Sequence, residues 1–252
     1  MAYYVKLLTR HVTNKEYNNS KNFHSIESFK GAQRVNLWNN ENSLDPVYPN
    51  DITIFKTKYE VSRMSSQDKE KWDHKYETPE YITGKEPVEW LKDHSDMLDG
   101  KGSALDIASG EGRNAVFAAE KGYQTLAVDI SATGIEKAHA LANEKGVTIE
   151  TCLVDLDNWK IKQNAFDLIL CFNFLDRRIF PAIKCALKPG GLMFYETFTV
   201  DYLKYSSFKR EWVLEHNELL DAFSELRILC YREVDINNKA FASLIALKEN
   251  ES

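Results

Sequence analysis

From about Ser66 onward, short apolar runs alternate with longer stretches in which apolar residues recur every three or four positions. The runs 103–107, 124–129, 147–152, 166–172 and 192–197 predict five strands. The stretches 113–121, 132–145 and 177–187 predict the helices between them, closed by Gly122, Gly146 and Lys188-Pro-Gly-Gly. An earlier helix opens at Ser66-Gln-Asp-Lys, with Ser66 as a good cap. After the fifth strand the rhythm changes. A helix over 217–223 precedes two strands, 227–233 and 240–247, whose link Asp235-Ile-Asn-Asn-Lys reads as a hairpin turn. Short, nearly all-apolar strands separated by helices bury both faces of a parallel sheet. The expected fold is therefore Rossmann-like α/β: a mostly parallel, seven-stranded sheet with a terminal antiparallel hairpin and helices on both faces.

Residues 1–65 follow another pattern. They hold nine Asn and little periodicity, apart from a strand-like run over 51–61 that alternates from Ile52 to Phe55. The chain thus divides into an N-terminal extension, 1–65, with no assigned role, and a main domain, 66–252.

Composition narrows the function classes. A formal net charge of -6 argues against a nucleic-acid polymer as partner, because phosphate binding needs a positive face. No window holds the roughly 18 apolar residues of a membrane span. The first ten residues lack the long apolar core of a secretory signal, so a cytoplasmic setting is expected. Cys152, Cys171, Cys185 and Cys230 form no CxxC pair and sit in apolar sequence. They read as small buried hydrophobes in a reducing compartment, with no metal site. Nothing in the pattern fixes an oligomeric state.

The most informative segment is Leu105-Asp-Ile-Ala-Ser-Gly-Glu-Gly-Arg-Asn, a strand running into a glycine bend that opens a helix. Gly110 and Gly112 let backbone turn sharply and lie against a ligand. Asp129 ends the next strand, where a carboxylate can accept both hydroxyls of a ribose. Asp155-Leu-Asp-Asn follows the third strand, placed to read the polar edge of an adenine. The same residues satisfy the dinucleotide fingerprint, Gly110-x-Gly-x-x-Ala115 with Asp129 at the right offset. Charge separates the two readings. Asp106 and Glu111 would repel an anionic pyrophosphate, but they favour the ammonium and sulfonium of S-adenosylmethionine. At ~4 Å and an effective dielectric near 20 a unit pair is worth about 4 kcal/mol before desolvation.

These residues resemble the class I S-adenosylmethionine-dependent methyltransferases, in particular the tellurite-resistance (TehB-like) group. The resemblance rests on the glycine segment, on Gly-Tyr-Gln-Thr-Leu-Ala-Val-Asp-Ile-Ser after it, and on Trp72-Asp-His-Lys-Tyr, which matches a WDxxY element. Ala186-Leu-Lys-Pro-Gly-Gly and Tyr195-Glu-Thr-Phe-Thr extend it, so it covers about residues 70–248. It implies that Asp106, Gly110 and Gly112 hold the methionine end, Asp129 the ribose, and Asp155 with Leu156 the adenine. Ser109 stands where many relatives have Cys. Tyr76, Ala108, Ser109, Asn114, Ile130 and Phe172 complete the candidate cofactor set.

An activated methyl needs a nucleophile placed in line and water excluded, so no obligatory catalytic signature is expected. The Asn-Pro-Pro-Tyr motif of amine-directed nucleic-acid methyltransferases is absent after the fourth strand, where Cys171-Phe-Asn-Phe-Leu-Asp-Arg-Arg stands. Ligands in open α/β sheets sit at the carboxyl ends of strands, which places Phe172, Asn173, Arg177, Glu196 and Thr197 near the reacting methyl. Asn173, Arg177 and Glu196 are the catalytic candidates. Arg177 and Arg178 suit an anionic substrate or a solvated helix start. Trp72, Tyr76 and Tyr81 suit a lid or ordinary packing, and His74 and His216 suit surface sites better than bases. Of Tyr195 and Glu196 only one can face the site, and Glu196 is favoured. The expected activity is methyl transfer to a small molecule such as an anion, a thiol or a chalcogen oxyanion. An NAD(P)-dependent oxidoreductase and a non-catalytic cofactor-binding regulator stay open as alternatives.

Overall fold

The computed structural model describes residues 66–250, so the extension and its strand-like run over 51–61 lie outside the described residues. In chain order the elements are α1 (Ser66–Tyr76), α2 (Glu89–Asp93), β1 (Ser103–Ile107), α3 (Arg113–Glu120), β2 (Gln124–Asp129), α4 (Ala132–Lys145), β3 (Glu150–Leu153) and β4 (Phe166–Phe172). Then follow α5 (Phe180–Ala186), β5 (Leu187–Phe198), α6 (Glu218–Ala222), β6 (Arg227–Ile236) and β7 (Lys239–Leu247). The sheet runs β3-β2-β1-β4-β5-β7-β6. The first five strands are parallel, and β7 is antiparallel to both β5 and β6. This is the Rossmann-like, mostly parallel seven-stranded sheet with a terminal antiparallel hairpin that the pattern predicted.

The order reverses between β1 and β4, so the crevice beyond their carboxyl ends is where such a sheet takes its ligand. Alternation along the strands divides the core. Leu105, Ile107, Ile169, Cys171 and Tyr195 face α5 and α6, meeting Ile183, Leu219 and Phe223. Leu168, Leu170, Phe172 and Phe194 face the other way, against Val88, Trp90, Leu91 and Ala118. Asp106 pairs with Leu170 across the β1–β4 ladder and shares that second face.

Several expected boundaries move for local reasons. β3 begins three residues late, because the Val147 N–H returns to Ala142 and completes the end of α4. The helix expected over 177–187 starts as a 3-10 turn, Arg177–Ile179, capped by Asp176, and then continues as α5. β5 begins early, at Leu187, and loops out Lys188-Pro-Gly-Gly against the single residue Asp167 of β4. The final hairpin is tighter than its five-residue link suggested. Only Asn237 and Asn238 turn, at φ 52° and 59°, the type I′ geometry whose twist matches the flanking strands. The cysteine expectation holds for Cys171, which is buried, but Cys152 and Cys185 are exposed and need correction, since both sit at strand or helix margins. Among the described residues no helix is long and apolar enough to cross a membrane.

The type I′ turn gives a test. Asn238→Val should destabilise the fold by about 1–2 kcal/mol, because a β-branched residue resists positive φ. Asn238→Gly should be neutral or stabilising, as read from urea midpoints.

Candidate active site

The bend after β1 is built from left-handed backbone. Ala108 (φ 52°), Gly110 (φ 54°) and Gly112 (φ 82°) reverse the chain in five residues and open α3. Only Gly fits at the latter two. A Cβ on Gly110 would lie 2.6 Å from the Tyr76 hydroxyl, and one on Gly112 would lie 2.5 Å from the Ala138 Cβ. Asp129 at the end of β2 pins this bend. One carboxylate oxygen accepts the Gly110 N–H at 2.7 Å and the other accepts the Ser131 N–H at 2.9 Å. Burial raises its pKa against those hydrogen bonds.

Asp106 lies beneath the bend and is almost fully buried. Its Oδ2 has no partner among the described residues, and neither does the buried Ser109 Oγ beside it in sequence. Burial pushes the Asp106 carboxyl up to about 8. The Ala115 N–H and Arg113 oppose the rise and Asp129 adds to it. The Val154 N–H donates to the Asp129 carbonyl at 2.8 Å, which sets Asp155 and Leu156 next to the same bend. Asp155 caps its own turn, accepting the Asp157 N–H and the Asn158 amide. Leu156 and Ile130 are buried.

The bend is covered by α1. Tyr76 is buried with its hydroxyl against Gly110, and burial followed by Asp129 and Glu111 holds its pKa well above the usual phenol range. Asp73, three residues before it, accepts the Ser131 hydroxyl at 2.6 Å and the Thr133 N–H at 3.3 Å. The WDxxY element is thereby tied to the start of α4. Tyr81 donates its hydroxyl to the Lys137 carbonyl.

Four sequence-derived roles need correction. Glu111 brings no free charge to a ligand. It is fully buried and accepts from Ile82 N, Thr83 N, Thr83 Oγ1 and Lys137 Nζ at 2.8–3.2 Å. Burial would raise its carboxyl, but those donors hold it below the ordinary value. Asn114 is likewise buried and occupied, its Oδ1 accepting the Val88 N–H at 3.0 Å. Phe172 is part of the core on the α2 side. Arg177 is committed to a clasp: it pairs with Glu218 and donates to the Glu211 and Val213 carbonyls at 2.9 and 2.8 Å. Backbone or charged partners claim Glu111, Asn114 and Arg177, and apolar packing claims Phe172.

At the carboxyl ends of β4 and β5, Asn173 is exposed in a left-handed conformation, and its N–H donates to the Glu196 carbonyl at 2.8 Å. Glu196 is buried, as the alternation required, and Tyr195 points the other way with its hydroxyl on the Phe174 carbonyl. Thr197 follows Tyr195's face. Glu196 accepts from Ser243 on β7 and lies 3.5 Å from Arg232 on β6. Arg232 in turn stacks on Trp90, 4.4 Å from the ring centroid. Burial raises the Glu196 carboxyl, and Ser243, Arg232 and Arg113 counter it. His74 and His216 sit on the surface against Glu77 and Glu233. Asp73, Arg113, Ser243 and Arg232 were missed in the sequence. Asp73 and Arg113 had a signal, their places inside the quoted WDxxY element and glycine segment.

The segment that builds the bend is similar to known proteins. Residues 104–191 match the family model described as "Methyltransferase domain". The match covers the segment from β1 into β5, about a third of the chain. The tRNA 5-carboxymethoxyuridine methyltransferase of Escherichia coli is 32% identical over 102 residues, covering 36% of this chain and 39% of the relative. The ubiquinone biosynthesis O-methyltransferase of Actinobacillus pleuropneumoniae is 26% identical over 120 residues, 44% of this chain and 51% of the relative. The chain therefore spans about half or less of the length of these relatives. TehB from Haemophilus influenzae shares the fold with a TM-score of 0.54 at 22% identity, over 72% of this chain and 67% of that one.

The Asp106 carboxyl makes a pH prediction. A carboxyl raised from 3.8 to about 8 binds its proton more tightly folded than unfolded. Its contribution to stability is full at low pH and is lost as pH rises from about 4 through 8, by at most about 1.4 kcal/mol per pH unit. Ligand-free Asp106→Asn should therefore melt higher than the parent chain at pH 9 and show a flatter pH profile in calorimetry. A lower melting temperature at pH 9 would count against a neutral, buried Asp106.

Proposed function

We propose that the protein transfers a methyl group from S-adenosylmethionine to a small-molecule acceptor, as a TehB-like methyltransferase working in the cytoplasm. The observation that carries this reading is that the Asp106 Oδ2 and the Ser109 Oγ, three residues apart where β1 enters the glycine bend, are both buried without a partner among the described residues. A buried carboxylate oxygen with no donor is costly unless a ligand supplies one. An amino-acid-bearing nucleoside supplies an ammonium for Asp106, hydroxyls for Asp129 and an adenine for Asp155 and Leu156. Asp129 keeps a lone pair on each oxygen after its backbone bonds. When bound, the cofactor supplies a methyl already activated on a sulfonium.

The chain's own groups then have distinct tasks. Asp106 loses its proton to hold a cation. Tyr76 and α1 keep water from the bend, and Asp73 holds α1 in place. Glu196, buried at the carboxyl end of β5, takes the proton of an acceptor hydroxyl or thiol, and Arg232 and Ser243 position it. Arg177 belongs to the scaffold in this reading. The acceptor class that suits the site is an anion, a thiol or a chalcogen oxyanion.

A screen with methyl-labelled cofactor over thiols, carboxylates, chalcogen oxyanions and tRNA tests the reading. Turnover on a small molecule and none on tRNA is the expected result, and turnover on tRNA alone would overturn the small-molecule assignment. Asp129→Ala should weaken S-adenosylhomocysteine binding at least tenfold, a loss of about 1.4 kcal/mol. Glu196→Gln should leave that binding within about threefold and lower kcat tenfold or more, a typical loss for a general base.

A further inference from the structure

Beside the proposed donor pocket the structure gathers rings and ammonium groups that the fold does not need. Trp72 stacks on Tyr76 with centroids 5.6 Å apart, so one indole lies a single ring away from the glycine bend. From the other side, Phe198 at the end of β5 stacks on Tyr202 at 4.2 Å and meets Phe208 edge-on at 5.6 Å. Phe208 continues to Trp212 at 6.1 Å. Lys71 joins the two series, its Nζ 5.7 Å from the Trp72 centroid and 5.5 Å from that of Trp212. Lys75 lies 4.3 Å over Trp72, and Lys209 lies 5.1 Å over Trp212.

Two properties of this face call for a ligand. Phe208 and Trp212 are 40% and 37% exposed, a cost in water that a folded core does not impose here. The three ammonium groups are also short of counter-charge. Among the described residues only Lys209 has a carboxylate within 4 Å, that of Glu211 at 3.6 Å. Burial, then the charge of Lys71, lowers the pKa of Lys75, as crowded cations require. An anion between them would relieve that crowding, and a flat ring attached to the anion would take the exposed indole face.

We infer that the face formed by Trp72, Trp212, Lys71, Lys75 and Lys209 binds the methyl acceptor, and that the acceptor is a small anion bearing a flat ring, such as an aromatic carboxylate or a nucleotide. The inference rests on the methyltransferase reading, since it names the acceptor of that site. A small molecule fits better than a polymer. Three lysines on a chain of net charge -6 make a short positive patch, not the long groove that tracks a phosphate backbone.

The test uses the full chain saturated with S-adenosylhomocysteine, with tryptophan fluorescence and calorimetry as readouts. Benzoate and AMP are the ringed anions. Acetate, benzyl alcohol and adenosine are controls lacking the ring or the charge, and oligouridylate represents a polymer. At least one ringed anion should bind saturably and at least tenfold more tightly than its controls. Trp212→Ala and the double change Lys71→Gln, Lys209→Gln should each weaken it tenfold. Trp212→Phe should retain it within threefold, and S-adenosylhomocysteine affinity should be unchanged in all variants. Equal binding of ringed anions and controls, no effect of Trp212→Ala, or binding of oligouridylate alone would each overturn the inference. If S-adenosylhomocysteine binds and the ringed anions do not, this inference falls and the donor-site reading stands. If S-adenosylhomocysteine itself does not bind, the donor-site reading fails first.

Discussion

The two hydrogen bonds from Gly110 and Ser131 to the Asp129 carboxylate hold the rest of the site together. The backbone they restrain is unfavourable by itself. An Ala at φ 52° costs about 1–2 kcal/mol, and the bend exposes polar groups at the centre of the sheet. Hydrogen bonds to an ionised carboxylate, worth about 1.5–3 kcal/mol each, offset that cost. Because the bend is fixed, the Asp106 Oδ2 and the Ser109 Oγ are left buried without a partner among the described residues. The same contact therefore shapes the backbone and creates the vacancy in hydrogen bonding that a ligand must fill.

Around this bend, polar side chains divide between ligand and scaffold by a simple criterion. Glu111, Asn114 and Asp73 all lie within a few residues of the glycines or the lid helix. Each accepts from backbone N–H groups or hydroxyls of the covering segments or of the start of α4. They hold α1 and residues 82–88 over the site. Asp106 is the exception: burial, with the charge of Asp129, raises its carboxyl further than the Ala115 N–H and Arg113 lower it. Sheet order sharpens the choice of cofactor. Dinucleotide folds run 3-2-1-4-5-6, whereas here an antiparallel β7 is inserted between β5 and β6. That insertion brings Ser243 and Arg232 beside Glu196, at the edge where an acceptor would stand.

Much of this was legible in the sequence. The strands and the hairpin followed from alternation and turn residues, and the glycine bend with Asp106 and Asp129 followed from spacing alone. Side-chain direction was not legible. Glu111 looked like ligand charge because a linear reading does not show Lys137 and Thr83 folding back onto it, from 26 and 28 residues away. Arg177 looked like an anion site because Glu218 lies 41 residues downstream. The Glu196–Ser243–Arg232 row depends on register between three strands, and the junction of Trp72 with Trp212 depends on where α1 meets the turn 210–212. These are tertiary facts with no local signature.

The central claim is that Asp106, protonated and with its Oδ2 unpartnered, is set to receive a cationic ligand. Calorimetric titration with S-adenosylhomocysteine at pH 7, in two buffers of different ionisation enthalpy, tests it directly. Its amino group should draw the carboxyl into ionisation, so saturable binding should release a net proton, and Asp106→Asn should abolish that release. Binding with no proton release, or heat from NADH and none from S-adenosylhomocysteine, would contradict the account.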